Sequence, residues 1–549
     1  MPGFHIENFG CRAARADGEA VSAALRAQGH AAGRAEDAAV IVVNTCSVTA
    51  EADREARAYI RRSRRRNPGA KIVVTGCYAQ RAPEELAWLE GVAAVVGNSH
   101  KALLPRIAAE IMGGADAGAK APTYSAAPSA QLKPPQRPRP VAGDPGTLCP
   151  DTQLKPGDVS SSTIAVEPEN SRVPSAHFAT DAGFVSIPAL IAGSGSPAPA
   201  GHAPIWADDR FAHSFLEEAQ VLPGKQTRPN LKIQEGCGNR CTFCVIPQTR
   251  GSSRSLPHAA VLRQVRGFVA ARGKELVLSG INLGRWGRDL APPGSQEKPS
   301  LARLIATILR ETDLPRLRLS SIEPMDWTDE LIGLLAEQGG GRICRHAHLP
   351  LQSGSDGVLR RMHRRYRPWH YAQKVAALVR AVGPELTLGA DVMVGFPGET
   401  DAEFEETLDF IRTLPFGYLH LFPFSPRPGT AAAALHAVSP VSAGAVAERM
   451  TALRDLAAEK TRAHRAQFAG REVAAVTLNT PAHLAIQGRT SALTENFLPV
   501  EIAGRLNANQ LCRLRVFAID AEATLHAVVA DGNRVSAKYA HQQDAAVAV

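Results

Sequence analysis

The chain has 549 residues, room for roughly three or four domains, with 44% hydrophobic residues, nine cysteines and a net charge of +9 from 62 Lys+Arg against 53 Asp+Glu. This composition excludes disorder throughout and a small disulfide scaffold, and no run of about 18 apolar residues marks a membrane span. Met1 to Glu7 lacks the basic-then-apolar pattern of a secretory signal, so a reducing cytoplasm is expected, with cysteines as metal ligands or catalytic groups and a surplus of cations compatible with a polyanionic partner.

Residues 4 to about 112 read as alternating strands and helices. His5–Phe9 is a weak first strand, and Glu19–Ala27 is a helix stopped at Gly29. Ala39–Asn44 and Lys71–Thr75 are continuous apolar runs, as in strands buried on both faces. Between them Ala52–Arg66 is a helix ended by Asn67-Pro68-Gly69. The order predicts a doubly wound parallel sheet in an N-terminal domain, 1–113. Residues 114–228 are rich in Pro, Ala, Gly and Ser and are expected to be a disordered insertion or linker. From 229 to 465 strands at Glu275–Leu278, Arg316–Ser320, His348–Leu351, Thr387–Val394 and Tyr418–Phe424 alternate with helices, predicting an open or closed α/β barrel. Over 466–535 short strands are expected at Glu472–Leu478, Leu484–Gln487, Leu498–Ile502, Leu511–Ile519 and Thr524–Val529. They suit a small β-barrel, with a flexible tail at 536–549.

Cys237, Cys241 and Cys244 are spaced by three and two residues on one loop. Three thiolates so placed can hold three irons of a 4Fe–4S cluster and leave the fourth open. Gly236 and Gly238 let the loop wrap closely. The alternatives are a zinc site, for which no fourth ligand stands at a familiar spacing, or chance. This motif before a βα barrel resembles the radical S-adenosylmethionine enzymes. There the open iron binds S-adenosylmethionine and an electron cleaves it to a 5′-deoxyadenosyl radical.

Cys11, Cys46 and Cys77 each follow a predicted strand. In an open parallel sheet such ends share one edge, so the three could converge on a second cluster, with Gly10 and Gly76 allowing close approach. Three unrelated buried thiols is the alternative.

The two triads together resemble the radical methylthiotransferases over about 1–112 and 229–532. Asn44-Thr45-Cys46-Ser47-Val48-Thr49, Val74–Gln80, Lys232–Cys237, His348–Ser355 and Val394–Thr400 carry the resemblance. Gly488-Arg489-Thr490 with Glu495–Val500 resembles the RNA-binding β-barrel called TRAM. One departure is Ala14, where the family usually has an Asn amide.

The resemblance implies two 4Fe–4S clusters and S-adenosylmethionine. One molecule methylates a sulfur on the auxiliary cluster; another yields the radical that takes hydrogen from an aromatic carbon, which no general base could deprotonate. Strand-end residues Gly280, Asn282, Ser321, Glu323, Gln352, Asp391 and Gly395 are candidates to bind S-adenosylmethionine, alongside Ser320 and Ser353. For each, loop structure or capping is the alternative. Arg427 suits an anionic group or a structural ion pair. The run Arg61-Arg62-Ser63-Arg64-Arg65-Arg66 could meet phosphates or be a solvated face. Cys149, Cys344 and Cys512 have no spaced partners and are assigned to packing.

Leu278–Gly284 with Trp286-Gly287, and Leu319–Pro324, resemble the branch acting on N6-threonylcarbamoyladenosine beside the tRNA anticodon; N6-isopentenyladenosine is the alternative substrate. A partner tRNA and an electron donor such as flavodoxin or ferredoxin follow from the resemblance. The rival of another class is a non-catalytic Fe–S sensor of RNA.

Overall fold

The N-terminal sheet begins with β1 (Gly3–Asn8), β2 (Ala31–Ala32), β3 (Val40–Thr45), β4 (Lys71–Gly76) and β5 (Val92–Gly97). The computed structural model describes residues 3–113, 203–211, 214–215, 221–223, 227–291 and 299–530. Cys149, most of the stretch 114–228 and the tail 536–549 lie outside the described residues.

The sheet runs β2-β1-β3-β4-β5-β6, parallel throughout, where β6 is Ile205–Trp206. The strands alternate faces. Val40 and Val42 pack with Val21 and Leu25 of α1 (Arg12–Ala27), while Ile41 and Val43 pack with Ala56 and Ile60 of α2 (Ala50–Arg66). Each fully buried Val, Leu or Ile contributes about 1.5–3 kcal/mol. Helix α2 forms where predicted because Thr49 caps it, Glu51 and Asp53 fill its first turn and Arg64–Arg66 its last. The basic run on α2 is largely exposed, with Ser63 buried.

Strand β6 corrects the expectation for 114–228. The last part of that stretch returns to the sheet: Ile205 and Trp206 pair with Val95 and Val96, and Ala203, Ala207 and Phe211 are buried. Two apolar residues among prolines carry too little periodicity to read as a strand, yet they suffice to cover an edge.

The central domain adds β7 (Asn230–Glu235), β8 (Arg254–Ser255), β9 (Glu275–Gly280) and β10 (Arg316–Leu319). It continues with β11 (His346–His348), β12 (Thr387–Val394) and β13 (Phe416–Pro423). Their order is β8-β7-β9-β10, then β11-β12-β13, with β10 reaching the loop before β11 through the Leu317–Ile343 bridge. All but β8 pair in parallel, so the barrel is partial. Leu276, Leu278, Leu317, Leu319, Ala390 and Val392 face the helices.

The terminal domain is a closed barrel of β14 (Glu472–Thr477), β15 (Arg489–Thr494), β16 (Pro499–Ala503), β18 (Leu525–Val529) and β17 (Leu511–Ile519), in that order round the wall. Leu484–Gln487, expected as a strand, lies on the short helix Ala482–Ile486 and its C-cap Gln487. Pro481 precedes that turn and Leu484 alone buries itself. The second strand is Arg489–Thr494. Closure leaves no free edge. No described helix is long and apolar enough to cross a membrane.

Candidate functional site

In the N-terminal sheet the strand order reverses at β1 and β3, the place where open α/β sheets bind ligands beyond their carboxyl ends. Cys11 and Cys46 follow those two strands and Cys77 follows the adjacent β4. Gly10 has φ +100°; a Cβ there would stand 2.6 Å from the Cβ of Cys46 and 2.8 Å from its Sγ. Gly76, also at φ +100°, would drive a Cβ into the carbonyl oxygen of Thr45. Both turns therefore require glycine. Burial pushes the Cys46 thiol up, and the neighbouring Cys77 and Cys11 sulfurs add to the shift. Three sulfurs that would repel one another as thiolates suit a shared metal centre.

Donors surround this triad. The Val48 N–H points at Cys46 Sγ (3.5 Å), and Cys77 Sγ accepts from Asn98 Nδ2 (3.5 Å) and Arg250 Nε (3.3 Å). Ala14, at the position where an amide was expected, is buried. The amide beside the triad comes from Asn98 at the end of β5; its Oδ1 is buried without a partner. Neither Asn98 nor Arg250 is marked by any local motif.

Arg250 belongs to the central domain. It donates to Glu235 (2.7 Å) and to Asp17 of α1 (3.3 Å), and Asp17 also accepts from Lys101 (2.5 Å) and Lys232 (2.5 Å). These five buried charges join the N-terminal and central domains. Arg427 closes a second junction, donating to Ser47 (2.8 Å) and Asp53 (2.5 Å) next to Cys46. It is the structural ion pair of its two predicted alternatives.

The second triad follows β7. Gly236 has φ +71°, and a Cβ there would overlap the carbonyl oxygen of Ser252. Cys237 Sγ accepts from the Asn239 N–H (3.4 Å) and from Asn282 Nδ2 (3.6 Å). Cys241 Sγ accepts from Arg364 Nη1 (3.4 Å), whose Nη2 donates to Glu323 (2.6 Å). Burial pushes the Cys244 thiol up to about 12, with Cys241 and Cys237 adding to it. Burial also raises Cys241, though Arg364 opposes it.

Of the predicted strand-end residues, Asn282 touches a triad sulfur and Glu323 reaches one through Arg364. Gly280 ends β9 at a point where a Cβ would meet Gln234 at 2.9 Å, and Gln234 Oε1 holds the Asn282 N–H at 2.6 Å. Ser321 is half-buried in the loop after β10, and Ser320 is buried beside it. Gln352 has φ +66°, a left-handed backbone for a non-glycine residue. Its N–H bonds Asp391 O (2.7 Å) and its side-chain Oε1 is buried without a partner. The Ser353 hydroxyl is spent on Thr407 (2.9 Å). Gly395 (φ +74°) donates its N–H to Glu399 (2.8 Å), closing the turn before the helix Asp401–Thr413. Asp391 bonds His348 (3.1 Å) and His420 (3.2 Å). Burial favours its neutral form, but these two hydrogen bonds outweigh burial and hold the carboxyl below the usual range. Cys344 is fully enclosed and Cys512 donates to Ala475 O (3.8 Å), both as packing residues.

Residues 3–97 match the uncharacterized protein family UPF0004, and residues 231–411 match the radical SAM superfamily. Threonylcarbamoyladenosine tRNA methylthiotransferase MtaB of Bacillus subtilis is 33% identical over 432 residues, covering 78% of this chain and 74% of the relative. The protein of the same name from Treponema pallidum is 32% identical over 528 residues, covering 93% and 97%. tRNA-2-methylthio-N(6)-dimethylallyladenosine synthase of Frankia casuarinae is 40% identical, but over 243 residues that cover 44% of this chain and 43% of that one.

Proposed function

This chain belongs to the threonylcarbamoyladenosine tRNA methylthiotransferases, radical S-adenosylmethionine enzymes, and on that premise we propose that it transfers a methylthio group to C2 of N6-threonylcarbamoyladenosine beside the anticodon of tRNA. The observation that carries the reading is the contact of Arg250, six residues past Cys244, with Cys77 Sγ at 3.3 Å. One guanidinium thus ties the loop of the second triad to the first.

The residues fit the cofactors. Cys237, Cys241 and Cys244 would hold the family's 4Fe–4S cluster, with Asn282 and Arg364 donating to sulfur where thiolate charge must be stabilised. With S-adenosylmethionine bound, that cluster supplies the one-electron chemistry needed at an unactivated aromatic carbon. Cys11, Cys46 and Cys77 are proposed to hold a second cluster. Arg250 places a full positive charge on their thiolates and Asn98 a dipole. Asn282, Glu323, Gln352, Asp391, Gly280, Ser321 and Gly395 are proposed to bind S-adenosylmethionine. The buried unpaired Oδ1 of Asn282 and Oε1 of Gln352 suit ligand donors.

The exposed arginines of α2 and the terminal barrel are proposed to bind tRNA phosphates. We assign the electron supply to a flavodoxin or ferredoxin and the location to the cytoplasm. Nucleoside mass spectrometry of tRNA from a deletion strain tests the reading. The methylthio form of threonylcarbamoyladenosine should disappear; its persistence, with loss of the methylthio-dimethylallyl form, would favour the other substrate. Reductive cleavage of S-adenosylmethionine by the purified protein separates both from a non-catalytic sensor.

A further inference from the structure

Residues on the inner wall of the partial barrel alternate with the core residues of its strands. Arg318 on β10, His346 on β11 and Tyr418 on β13 stand there around Phe497, which the terminal barrel inserts between them. The Phe497 ring lies 4.4 Å from His346 and 5.4 Å from Tyr418, centroid to centroid. The Arg318 guanidinium sits 5.3 Å from that ring and the Arg12 guanidinium 5.5 Å from it. Phe497 holds φ +69°, a left-handed conformation that a bulky residue adopts only when its surroundings impose it.

Arg12 differs from the other enclosed arginines around the two triads. Arg250 pairs with Asp17 and Glu235, Arg364 with Glu323, Arg427 with Asp53, Arg345 with Glu495 and Arg318 with Glu275. Among the described residues no carboxylate pairs with Arg12. Burial bears on it most; of the titratable groups around it Tyr418 comes first, and the cations Arg318, Arg228 and Arg15 follow. Glu275 is shared by Arg228, Arg316 and Arg318. Arg318 Nη1, Arg228 Nε and both Nε and Nη1 of Arg316 are buried without hydrogen-bond partners. Among the described residues, this half-buried guanidinium facing an excess of cations has no anion as partner.

We propose that Arg12, with Arg228 and Arg318 behind it, binds the carboxylate of the substrate's N6 substituent and so selects an amino-acid-derived side chain over an apolar one. The assignment rests on the threonylcarbamoyladenosine reading above. A planar fork suits a carboxylate bidentately, and an isoprenoid substituent would leave the cations unpaired, which is how a polar pocket rejects an apolar analogue. Arg12 directly follows Cys11, so the anion it holds stands beside the loop of the first triad.

The test uses the reconstituted holoenzyme and two anticodon stem-loop RNAs, one carrying threonylcarbamoyladenosine and one its neutral carboxamide. On the wild type the carboxamide should raise KM roughly tenfold to hundredfold, the worth of a charge-assisted contact. Arg12→Gln should raise KM for the carboxylate RNA by a similar factor and abolish the distinction between the two RNAs; Arg12→Lys should restore part of it. Iron content is measured in parallel. If Arg12→Gln loses iron, the wild-type comparison decides. Equal KM for the two RNAs on the wild type, or an undiminished preference for the carboxylate in iron-replete Arg12→Gln, would overturn the proposal. A wild type that modifies neither RNA but accepts the dimethylallyl form would remove the substrate reading itself, and the Arg12 assignment with it.

Discussion

Replacing Asp17 by Asn keeps the shape of the side chain and deletes one charge from the buried cluster that joins α1 to β7. Asp17 is 2% exposed and accepts from Lys101, Lys232 and Arg250. Burial alone would raise its pKa, but the three cations outweigh burial and hold the carboxyl below the usual range. In the variant Glu235 is left as the remaining carboxylate for three buried cations. Breaking a buried pair by removing one partner costs about 3–5 kcal/mol. Lys232 and Arg250 keep Glu235, so the lower figure, about 3 kcal/mol, is expected. At roughly 2–4 °C per kcal/mol this lowers the melting temperature by about 6–12 °C. The folded carboxyl titrates below its unfolded value of 3.8. Its stabilisation is therefore complete above that pH, begins to decline below it, and is lost as pH falls through the lower folded value. Thermal unfolding followed by circular dichroism, for wild type and Asp17→Asn at pH 7 and near pH 3.5, measures both effects. A difference under about 2 °C at pH 7, or one that grows on acidification, would refute the reasoning.

Gly76→Ala forces a Cβ against the Thr45 carbonyl and should displace Cys77; iron per chain should fall from about eight to about four. Iron unchanged at about eight would show that Gly76 is not needed to place Cys77, and about four irons in wild type and variant alike would count against a second cluster. Arg364→Gln removes the donor on Cys241 and the partner of Glu323. The rate of 5′-deoxyadenosine formation should drop at least about tenfold, and an unaltered rate would show that Arg364 only packs. His464 is buried against Thr387 (2.8 Å). Burial, and then Arg465, lower its pKa to about 4 from 6.5. A histidine kept neutral contributes stability above pH 6.5 that is lost as pH falls toward 4, so His464→Asn should flatten the melting-temperature curve in that interval; parallel curves would refute this.

Particular elements explain what could be read before the fold was seen. Strands β3 and β4 announce themselves because burial on both faces demands unbroken apolar runs. Helix α1 begins seven residues earlier than expected, since Gly18 interrupts its pattern. The structure makes use of that glycine: a Cβ there would collide with the Asn8 side chain. In the terminal barrel Leu484-Ala485-Ile486 imitates a strand in composition, while Arg489–Thr494 has polar residues at its ends and carries little strand signal. The Cys237 triad is legible from spacing because one loop carries all three cysteines. Cys11, Cys46 and Cys77 become legible only once strand ends are aligned. Asn98, Arg250 and Arg364 were not legible, because each reaches its sulfur from a distant element and no local pattern encodes such an approach.

The stacking of Arg12 on Phe497 joins residues nearly five hundred positions apart. At about 5–20 residues per second a ribosome needs roughly 25–100 s to travel between them. From residue 77 onward, which is most of that interval, the first three cysteines have been made, while Arg250, which covers Cys77, and the wall that receives Arg12 have not all emerged. The N-terminal sheet can form during synthesis from its own core, but its sulfur-bearing edge is completed last. If that edge holds the proposed second cluster, the moment at which metal can be enclosed there is set by translation time, and oxidants reaching the nascent chain would find those thiols first.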